Sequence, residues 1–179
     1  MPTLLIVLVV VLVIAAIAMV ILKQKLGAAA PESGPGDAND YTLQAAILSP
    51  AERSFLGVLE PLLPEDVGYL VKVRLGDVFT TRKGLDASRR TRARNRINQK
   101  HVDFLLIRTS DLKPLAGVEL DDSSHDAEDR QKRDAFVDGV FQSCQLPLLH
   151  VPARATYNPN ELRASLAAVI AQGQPPAKS

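Results

Sequence analysis

The stretch HVDFLLIRTSDLKPLAGVELD, from His101 to Asp121, contains two apolar segments separated by a polar turn. The segments His101 to Arg108 and Leu115 to Asp121 both have the length and the residue types of a β-strand. The residues between them, Asp111 to Pro114, have the composition of a turn. This stretch therefore predicts a β-hairpin, around which the rest of the fold is expected to form.

Three carboxylates close the second strand of this hairpin, in the segment VELDDSSH. Alternation along a strand places Glu119 and Asp121 on one face and turns Asp122 away from them. In the expected register, Asp103 lies beside Glu119. An acidic side chain inside an apolar strand is costly unless it is paired or bound to a metal, and carboxylate oxygens are the ligands that Mg²⁺ takes. We therefore expect Mg²⁺ between Asp103 and Glu119, where it would activate water and stabilise charge on a phosphate.

Helical and strand patterns on both sides of the hairpin predict a mixed α/β domain. Ser49 to Glu52 has the sequence of a helix start, with Ser49 as N-cap, Pro50 in the first turn and Glu52 closing a capping box. In chain order, the expected elements are a helix from Ser49 to about Pro64, a strand Tyr69 to Leu75, a helix Asp86 to Gln99, the two hairpin strands, a helix Asp129 to Ser143, a strand Leu146 to Val151 and a helix from Asn158 to about Ala171.

The order of these elements predicts the sheet. The last strand-helix-strand step implies a parallel pair with a right-handed crossover, whereas the hairpin strands are antiparallel. We therefore expect a mixed four-stranded sheet flanked by helices. The segment Leu146 to Val151 is nearly all apolar, which is typical of a central strand that is buried on both faces.

The composition excludes few functions. The chain has 179 residues, and its 21 basic and 20 acidic side chains give a net charge that indicates no partner. Its length allows one domain plus whatever the ends do. The only cysteine, Cys144, cannot form an internal disulfide or a thiolate metal cluster, which suits a reducing compartment. We expect Cys144 to be a small core residue on a helix.

The N-terminal segment is expected to be a transmembrane helix. Leu4 to Leu22 contains no charged or strongly polar side chain and is long enough to cross the hydrocarbon core. Lys23 and Lys25 follow it, so the positive-inside bias places the N-terminus outside and the rest of the chain in the cytoplasm, at the inner membrane. A cleaved signal peptide is the alternative, with the small residues Ala28 to Ala30 as its cleavage site.

These patterns divide the chain into four segments. We expect a membrane anchor over residues 1–25, a flexible linker rich in Ala, Gly, Pro and Asp over residues 26–47, a folded domain over residues 48–171 and a disordered tail over residues 172–179.

A run of basic residues leads directly into the hairpin. It contains a single acid, Asp86, against eight basic side chains: Arg82, Lys83, Arg89, Arg90, Arg92, Arg94, Arg96 and Lys100. Three interpretations stay open, namely a solvated helix face, a dock for anionic lipid and a surface for the phosphate backbone of nucleic acid. Arginine dominates lysine in the run, which favours fork-like contacts with phosphate. A basic surface beside an acidic metal site is what a phosphodiester enzyme needs.

Several segments of the domain carry a family resemblance. They are SPAERSFLGVLE, VKVRLGDVF, NRINQKHVDFLL, VELDDSSHDAEDRQKRDAFVD and LPLLHVPA, of which KHVDF and ELDDSSH…DRQKRD are the specific parts. Through them the chain, from Ser49 to about Leu166, resembles the bacterial domain of unknown function family 2726. That family is placed by similarity in the PD-(D/E)XK nuclease-like, or restriction-endonuclease-like, superfamily, closest to very-short-patch repair endonucleases. The superfamily core of helix, three strands, helix and strand agrees with the element order expected above.

The resemblance implies roles for individual residues. It implies a metal-binding aspartate on the second core strand, matched by Asp103, and an acidic residue on the third, matched by Glu119. It often adds a glutamate on the first helix, matched by Glu52, which the capping box also explains. The repair endonucleases use histidines after the third strand, and His125 matches one of them as a general base or phosphate contact. On its own, His125 would be an ordinary loop histidine.

The chain departs from the superfamily pattern at one position. Asp121 stands where a lysine is usual. A lysine can come from elsewhere, and the candidates Lys72, Lys100 and Lys132 are equivalent at this point. Otherwise, either His125 replaces the lysine or the domain binds without cutting.

Three hypotheses follow. The leading one is a membrane-anchored nuclease-like domain that hydrolyses nucleic acid, DNA rather than RNA, with Mg²⁺ held by Asp103 and Glu119 and with Asp121 assisting. The second is a non-catalytic nucleic-acid-binding module tethered to the inner membrane. The third is an envelope interaction protein whose basic run faces anionic lipid. A resemblance in fold does not establish any of these activities.

Overall fold

The structure, a computed structural model, describes residues 13, 15, 17–20, 38–121 and 127–174 of the chain, with the backbone alone for residues 127–134. Contacts divide the chain into two units, Met1–Gln44 and Ala45–Ser179. In the first unit, the described residues between 13 and 20 are helical and Ala38–Asp40 forms a 3₁₀ turn. No helix among the described residues is both long and apolar enough to cross a bilayer. Most of the predicted anchor lies outside the described residues, and the anchor stays a prediction.

The second unit alternates helices and strands in nearly the expected order. Its elements are α1 (Pro50–Leu59), β1 (Val67–Arg74), α2 (Leu75–Val78), α3 (Ala87–Asn98), β2 (His101–Arg108), β3 (Pro114–Asp121), α4 (Ala127–Ser143), β4 (Leu148–Pro152) and α5 (Pro159–Gly173). The short helix α2 was not expected. It begins at Leu75, where the N–H donates to the carbonyl of Lys100 at 2.8 Å and the side chain enters the core.

The four strands form one mixed sheet in the order β1-β2-β3-β4. The hairpin strands β2 and β3 are antiparallel, as are β1 and β2, whereas β3 and β4 are parallel. The predicted four-stranded mixed sheet flanked by helices is therefore confirmed. The prediction that the last strand is central is wrong, because β4 pairs only with β3 and lies at an edge. Its apolar residues pack against both α4 and α5. This packing explains why an edge strand has the apolar composition that is typical of a central strand.

Two apolar clusters hold the helices on the sheet. The first joins α1 and α5 to the sheet and is centred on Phe55, whose ring lies 5.4 Å from that of Phe104 and 5.3 Å from that of Tyr157. The second joins α2, α3 and α4 to the sheet and includes Phe79 and Phe141, whose ring centroids are 5.0 Å apart. Burial of these apolar side chains is the main source of the fold's stability.

The predicted capping box at the start of α1 is present. Ser49 Oγ accepts the N–H of Glu52, and the Glu52 carboxylate accepts the N–H of Ser49 in return. Two N–H groups that the helix cannot satisfy internally are thereby paired. This cap fixes the position of the Glu52 side chain, which also matters for the site described below.

Cys144 is an exposed free thiol, so the prediction of a core cysteine is wrong. It lies one residue beyond α4, and its N–H still donates to the carbonyls of Val140 and Phe141. The next residue, Gln145, has a φ of 57° and turns the chain out of the helix. The cysteine therefore belongs to the helix end, where its side chain faces solvent.

Gly173 marks the closest approach of α5 to the sheet. A Cβ added there would lie 1.7 Å from the carbonyl oxygen of Leu115 in β3, whereas a Cβ added to Gly57 in α1 would have no neighbour within 4 Å. The two glycines thus provide a matched pair, one required by packing and one not.

We expect Gly173→Ala to lower the free energy of unfolding by about 1–3 kcal/mol, because α5 must move away from a backbone carbonyl that cannot yield. Gly57→Ala should raise it by up to about 1 kcal/mol, since alanine is the better helix former and open space surrounds it. Urea denaturation of the full chain, followed by circular dichroism, measures both. Equal effects of the two substitutions would contradict the close approach.

Candidate functional site

The sheet carries one buried acidic residue among the residues that the structure describes, Asp103 in β2, which is 8% exposed. Its two strand neighbours pair with Val71 and Val73 of β1, so Lys72 stands opposite Asp103. Lys72 has a φ of 52°. A residue with a side chain adopts this left-handed conformation at a cost of about 1 kcal/mol or more. The backbone strain therefore coincides with the position that faces the buried carboxylate.

Lys72 brings its positive charge to two carboxylates. Its Nζ lies 2.9 Å from Asp103 Oδ1 and also donates to Glu52 Oε1. The side chains of Lys72, Glu52 and Asp103 are 24%, 12% and 11% exposed, so each charge depends on the others for its compensation. Burial lowers the pKa of Lys72, but its hydrogen bonds to the two carboxylates outweigh burial and leave that pKa raised. The lysine is therefore a permanent cation at this site.

Glu52 has two structural partners, one for each carboxylate oxygen. Oε2 accepts the N–H of Ser49 at 2.8 Å as part of the capping box, and Oε1 accepts Lys72 Nζ. The structure thus places this predicted site residue beside Asp103 without removing it from the helix cap. From the sequence, the helix cap and the metal site are two competing explanations for Glu52. In the structure, the same side chain completes the cap and also binds Lys72 beside Asp103.

Asp103 and Glu119 adjoin across β2 and β3, one residue beyond the pair Phe104 and Val118. Their carboxyl groups hydrogen bond each other, and Asp103 Oδ2 also accepts the N–H of Leu120 at 3.0 Å. Burial and the nearby charge of Asp103 raise the pKa of Glu119 to about 9. Burial also raises the pKa of Asp103, but the bonds from Lys72 and Leu120 outweigh it and hold that pKa below its usual value. These opposite pKa shifts favour a neutral Glu119 beside an ionised Asp103 at neutral pH.

The donor set of this pair fits Mg²⁺. Asp103 and Glu119 offer carboxylate oxygens, and loss of the proton of Glu119 would leave two adjacent negative charges that a divalent cation can neutralise. Within the described ranges, no group of three or more His, Cys, Asp and Glu side chains is arranged to hold a metal. Water or substrate oxygens would therefore complete the coordination shell.

A second polar cluster, centred on His150 of β4, was missed from the sequence. Its Nδ1 lies 3.2 Å from Asp121 Oδ1, and its Nε2 lies 3.0 Å from Oδ1 of Asp138 in α4. Only the imidazolium form donates from both nitrogens. Burial lowers the pKa of His150, but the two carboxylates outweigh it and leave that pKa raised. His150 pairs with Glu119 in the β3–β4 ladder, so the two clusters adjoin.

The other predicted site residues are placed as follows. Asp121, expected to assist the metal, is bound by His150, and its charge contributes to the raised pKa of Glu119. His125 lies outside the described residues, as does the side chain of Lys132. Of Lys72 and Lys100, the two candidate lysines whose side chains the structure describes, Lys72 is the one that contacts the carboxylates.

Most of the basic run lies in helix α3. Two residues separate the end of this helix from the start of β2. Asp86 caps it, with a carboxylate oxygen accepting the N–H of Arg89 at 2.8 Å. All five arginines of the helix are exposed: Arg89, Arg90, Arg92, Arg94 and Arg96. The first residue of β2 is His101, whose Nε2 lies 3.4 Å from Lys72 Nζ. The arginine helix therefore leads into the carboxylate cluster.

Comparison with protein families gives a match over most of the chain. The model of the family described as "Protein of unknown function (DUF2726)" matches residues 44–170. The chain belongs to this family. No curated protein and no solved structure matches the chain.

The raised pKa of Glu119 predicts a pH dependence of stability in the presence of EDTA. Because the folded chain keeps Glu119 neutral, its contribution is complete below a pH of about 4.5 and is lost as pH rises through about 9. The free energy of unfolding should therefore fall over this range by up to about 1.4 kcal/mol per pH unit from this group. Glu119→Gln, which keeps a donor to Asp103, should flatten the slope, whereas Glu65→Gln at an exposed position should not. An unchanged slope in Glu119→Gln would mean that Glu119 is ionised in the folded chain.

Lys72→Met should lower the free energy of unfolding at neutral pH by about 3 kcal/mol, because it leaves Asp103 and Glu52 without their cation. The loss should shrink in acid, where the two carboxylates can take up protons. Lys113→Met is the control, since Lys113 is 66% exposed in its pair with Asp111 and should contribute less than about 1 kcal/mol. Denaturant titrations at several pH values measure both. Similar effects of the two substitutions would contradict a compensating role for Lys72.

Proposed function

We propose that this DUF2726 protein is a Mg²⁺-dependent hydrolase of nucleic-acid phosphodiesters, held at the inner membrane by its N-terminal segment with the domain in the cytoplasm. One observation carries the proposal. The ammonium of Lys72 contacts both Asp103, at 2.9 Å, and Glu52, and Glu119 lies beside Asp103 on the neighbouring strand. A lysine and three carboxyl groups from four different elements thus meet at one place.

This arrangement provides a lysine in place of the one that the chain lacks relative to the PD-(D/E)XK pattern. The lysine usual on the third core strand is absent, and Asp121 stands in its place. Lys72 enters from β1 and presents its ammonium to Asp103, one of the two proposed metal ligands, and to Glu52. The element order from α1 to β4 also supports membership in this superfamily.

Each residue then has a chemical role. Asp103 and Glu119 would hold Mg²⁺, which supplies charge neutralisation at the phosphate and a more acidic bound water. Asp103 is oriented by the N–H of Leu120 and by Lys72. Glu119 must give up its proton when the metal binds. Lys72, a cation paired with Asp103, would hold a phosphate oxygen or the attacking water.

Further residues surround this centre. Asp121 assists through its negative charge, and His150 holds its carboxylate in place. His125, just beyond β3 in the sequence, is proposed as the general base or a phosphate contact. Glu52 is proposed to support the metal site through Lys72, because its two oxygens accept that ammonium and the N–H of the helix cap. The exposed arginines of α3, together with Lys100, would hold the nucleic-acid backbone.

A second candidate is a membrane-tethered module that binds nucleic acid without cutting it. It is favoured by the internal compensation of the cluster, in which Lys72 already neutralises Asp103, and Glu119 is uncharged. Such a cluster is stable without a metal and could be purely structural. Binding would then depend on the arginines alone.

Cleavage of labelled DNA and RNA by the full chain in neutral detergent, with Mg²⁺ or with EDTA, separates the two candidates. We expect Mg²⁺-dependent cleavage that falls on the order of a hundredfold or more in Asp103→Asn and in Lys72→Met.

Asp111→Asn is the matched control, because Asp111 is a carboxylate of the hairpin turn that pairs only with Arg108 and Lys113 among the described residues. It should cut as fast as the unaltered chain. Salt-sensitive binding with no cleavage under any divalent metal would reject the enzyme and favour the binding module. Equal cleavage by Asp103→Asn and the unaltered chain would reject the assigned site.

A further inference from the structure

Helix α3 rests on the protein by a narrow strip. Ile97 is buried and Ala93, one turn earlier, is half-buried. Every other residue from Ser88 to Asn95 is exposed. At about 100° per residue, Ala93 and Ile97 share one face. The opposite face is therefore presented to solvent along the whole helix.

The side chains of α3 fall into three rows on that exposed surface. With the same helical spacing, Ser88, Thr91 and Asn95 form an outward ridge of short polar side chains. One flank of the ridge carries Arg89, Arg92 and Arg96, and the other flank carries Arg90 and Arg94. Arginines therefore lie on both sides of a ridge of small hydrogen-bonding groups.

The arginines of α3 are uncompensated within the described part of the chain. No ion pair formed by its described side chains includes any of the five. Arg90 and Arg94, and likewise Arg92 and Arg96, are four residues apart, and like charges at this spacing destabilise a helix by about 0.2–0.5 kcal/mol per pair. Among the described side chains nothing offsets this repulsion, and an anionic partner on both flanks would remove it.

One guanidinium is already positioned. Arg96 lies over the ring of Phe136 in α4, with its central carbon 3.9 Å from the ring centroid. Stacking on an aromatic ring fixes the plane of the guanidinium and leaves its N–H donors free for phosphate. Arg90 and Arg92 each give one N–H to oxygens of their own segment, Leu85 O and Ser88 Oγ. Each keeps further donors for a ligand.

We propose that α3 enters the major groove of B-form duplex DNA, with its two arginine rows on the two phosphate backbones and its polar ridge toward the base edges. This names the substrate class of the proposed function and rests on it. Serine, threonine and asparagine side chains are among those that hydrogen bond to base edges in that groove. The groove is about 12 Å wide, and a helix with its side chains is about 10–12 Å across.

The same geometry disfavours other polyanions. The major groove of A-form RNA is too deep and narrow to be read by side chains, so an RNA duplex would meet at most one row. A helix that lies on a membrane has large apolar side chains opposite its basic face, whereas the residues opposite the ridge, Ala93 and Ile97, pack on the protein itself. Duplex DNA is the polyanion that engages both rows and the ridge together.

The test is binding of the full chain, in neutral detergent and EDTA, to a labelled DNA duplex and to an RNA duplex of the same sequence. We expect the DNA duplex to bind about tenfold or more tightly. Arg92→Gln and Arg94→Gln, one from each row, should each weaken DNA binding about eightfold at about 0.1 M salt and lower the salt slope by about 0.9. Arg163→Gln, at an exposed position of α5, is the control for loss of one charge and should change neither.

Groove occupancy has its own readout. Guanine N7 lies in the major groove, so bound chain should protect it from methylation by dimethyl sulfate. Unprotected N7, equal affinity for the RNA duplex, an effect of only one arginine row, or displacement of the DNA by phosphatidylglycerol vesicles would each overturn the proposal. Because EDTA prevents metal-dependent hydrolysis, N7 protection by a chain that never cuts would leave this proposal standing and reject the proposed enzyme.

Discussion

The contact of the Lys72 ammonium with Glu52 and Asp103 is the interaction on which the charge balance of the domain depends. It joins the first turn of α1 to β1 and β2, and Asp103 extends it to β3 through Glu119 and the N–H of Leu120. Without this cation, two carboxylates would lie largely out of water with no opposite charge, which proteins rarely tolerate. The left-handed backbone at Lys72 is strained, yet it is the conformation in which the ammonium reaches both partners. Stability and the proposed chemistry therefore rest on the same three side chains.

Much of the fold could be predicted from local patterns. The hairpin, the cap of α1, the helix after Asp86 and the parallel last strand all follow from alternation, capping residues and element order, because these are properties of neighbouring residues. The position of β4 in the sheet could not be predicted in that way. A strand that is apolar throughout indicates that both of its faces are covered. In this domain helices cover both faces of β4, although β4 lies at the edge of the sheet.

The site was less predictable than the fold. Asp103 and Glu119 could be paired from alternation and a hairpin register, but the choice among three lysines needed the positive φ at Lys72, which no residue type near it indicates. His150 was missed although a signal existed, since it is the only polar side chain in LPLLHV. A charged imidazole between Asp121 and Asp138 depends on α4 returning over the sheet, a long-range contact that a single sequence does not reveal.

The two structural roles of Glu52 limit what its presence indicates in other members of the family. Its one oxygen completes a helix cap and its other binds Lys72, so a relative that has lost all chemistry would still retain the glutamate in order to begin α1. The serine-proline-x-glutamate segment therefore reports that the helix forms, and says nothing about whether the domain is an enzyme. Positions 72 and 119 are more diagnostic, because neither belongs to a cap or to a turn. A relative with apolar residues at both positions and a retained Glu52 would keep the fold without the residues of the proposed reaction.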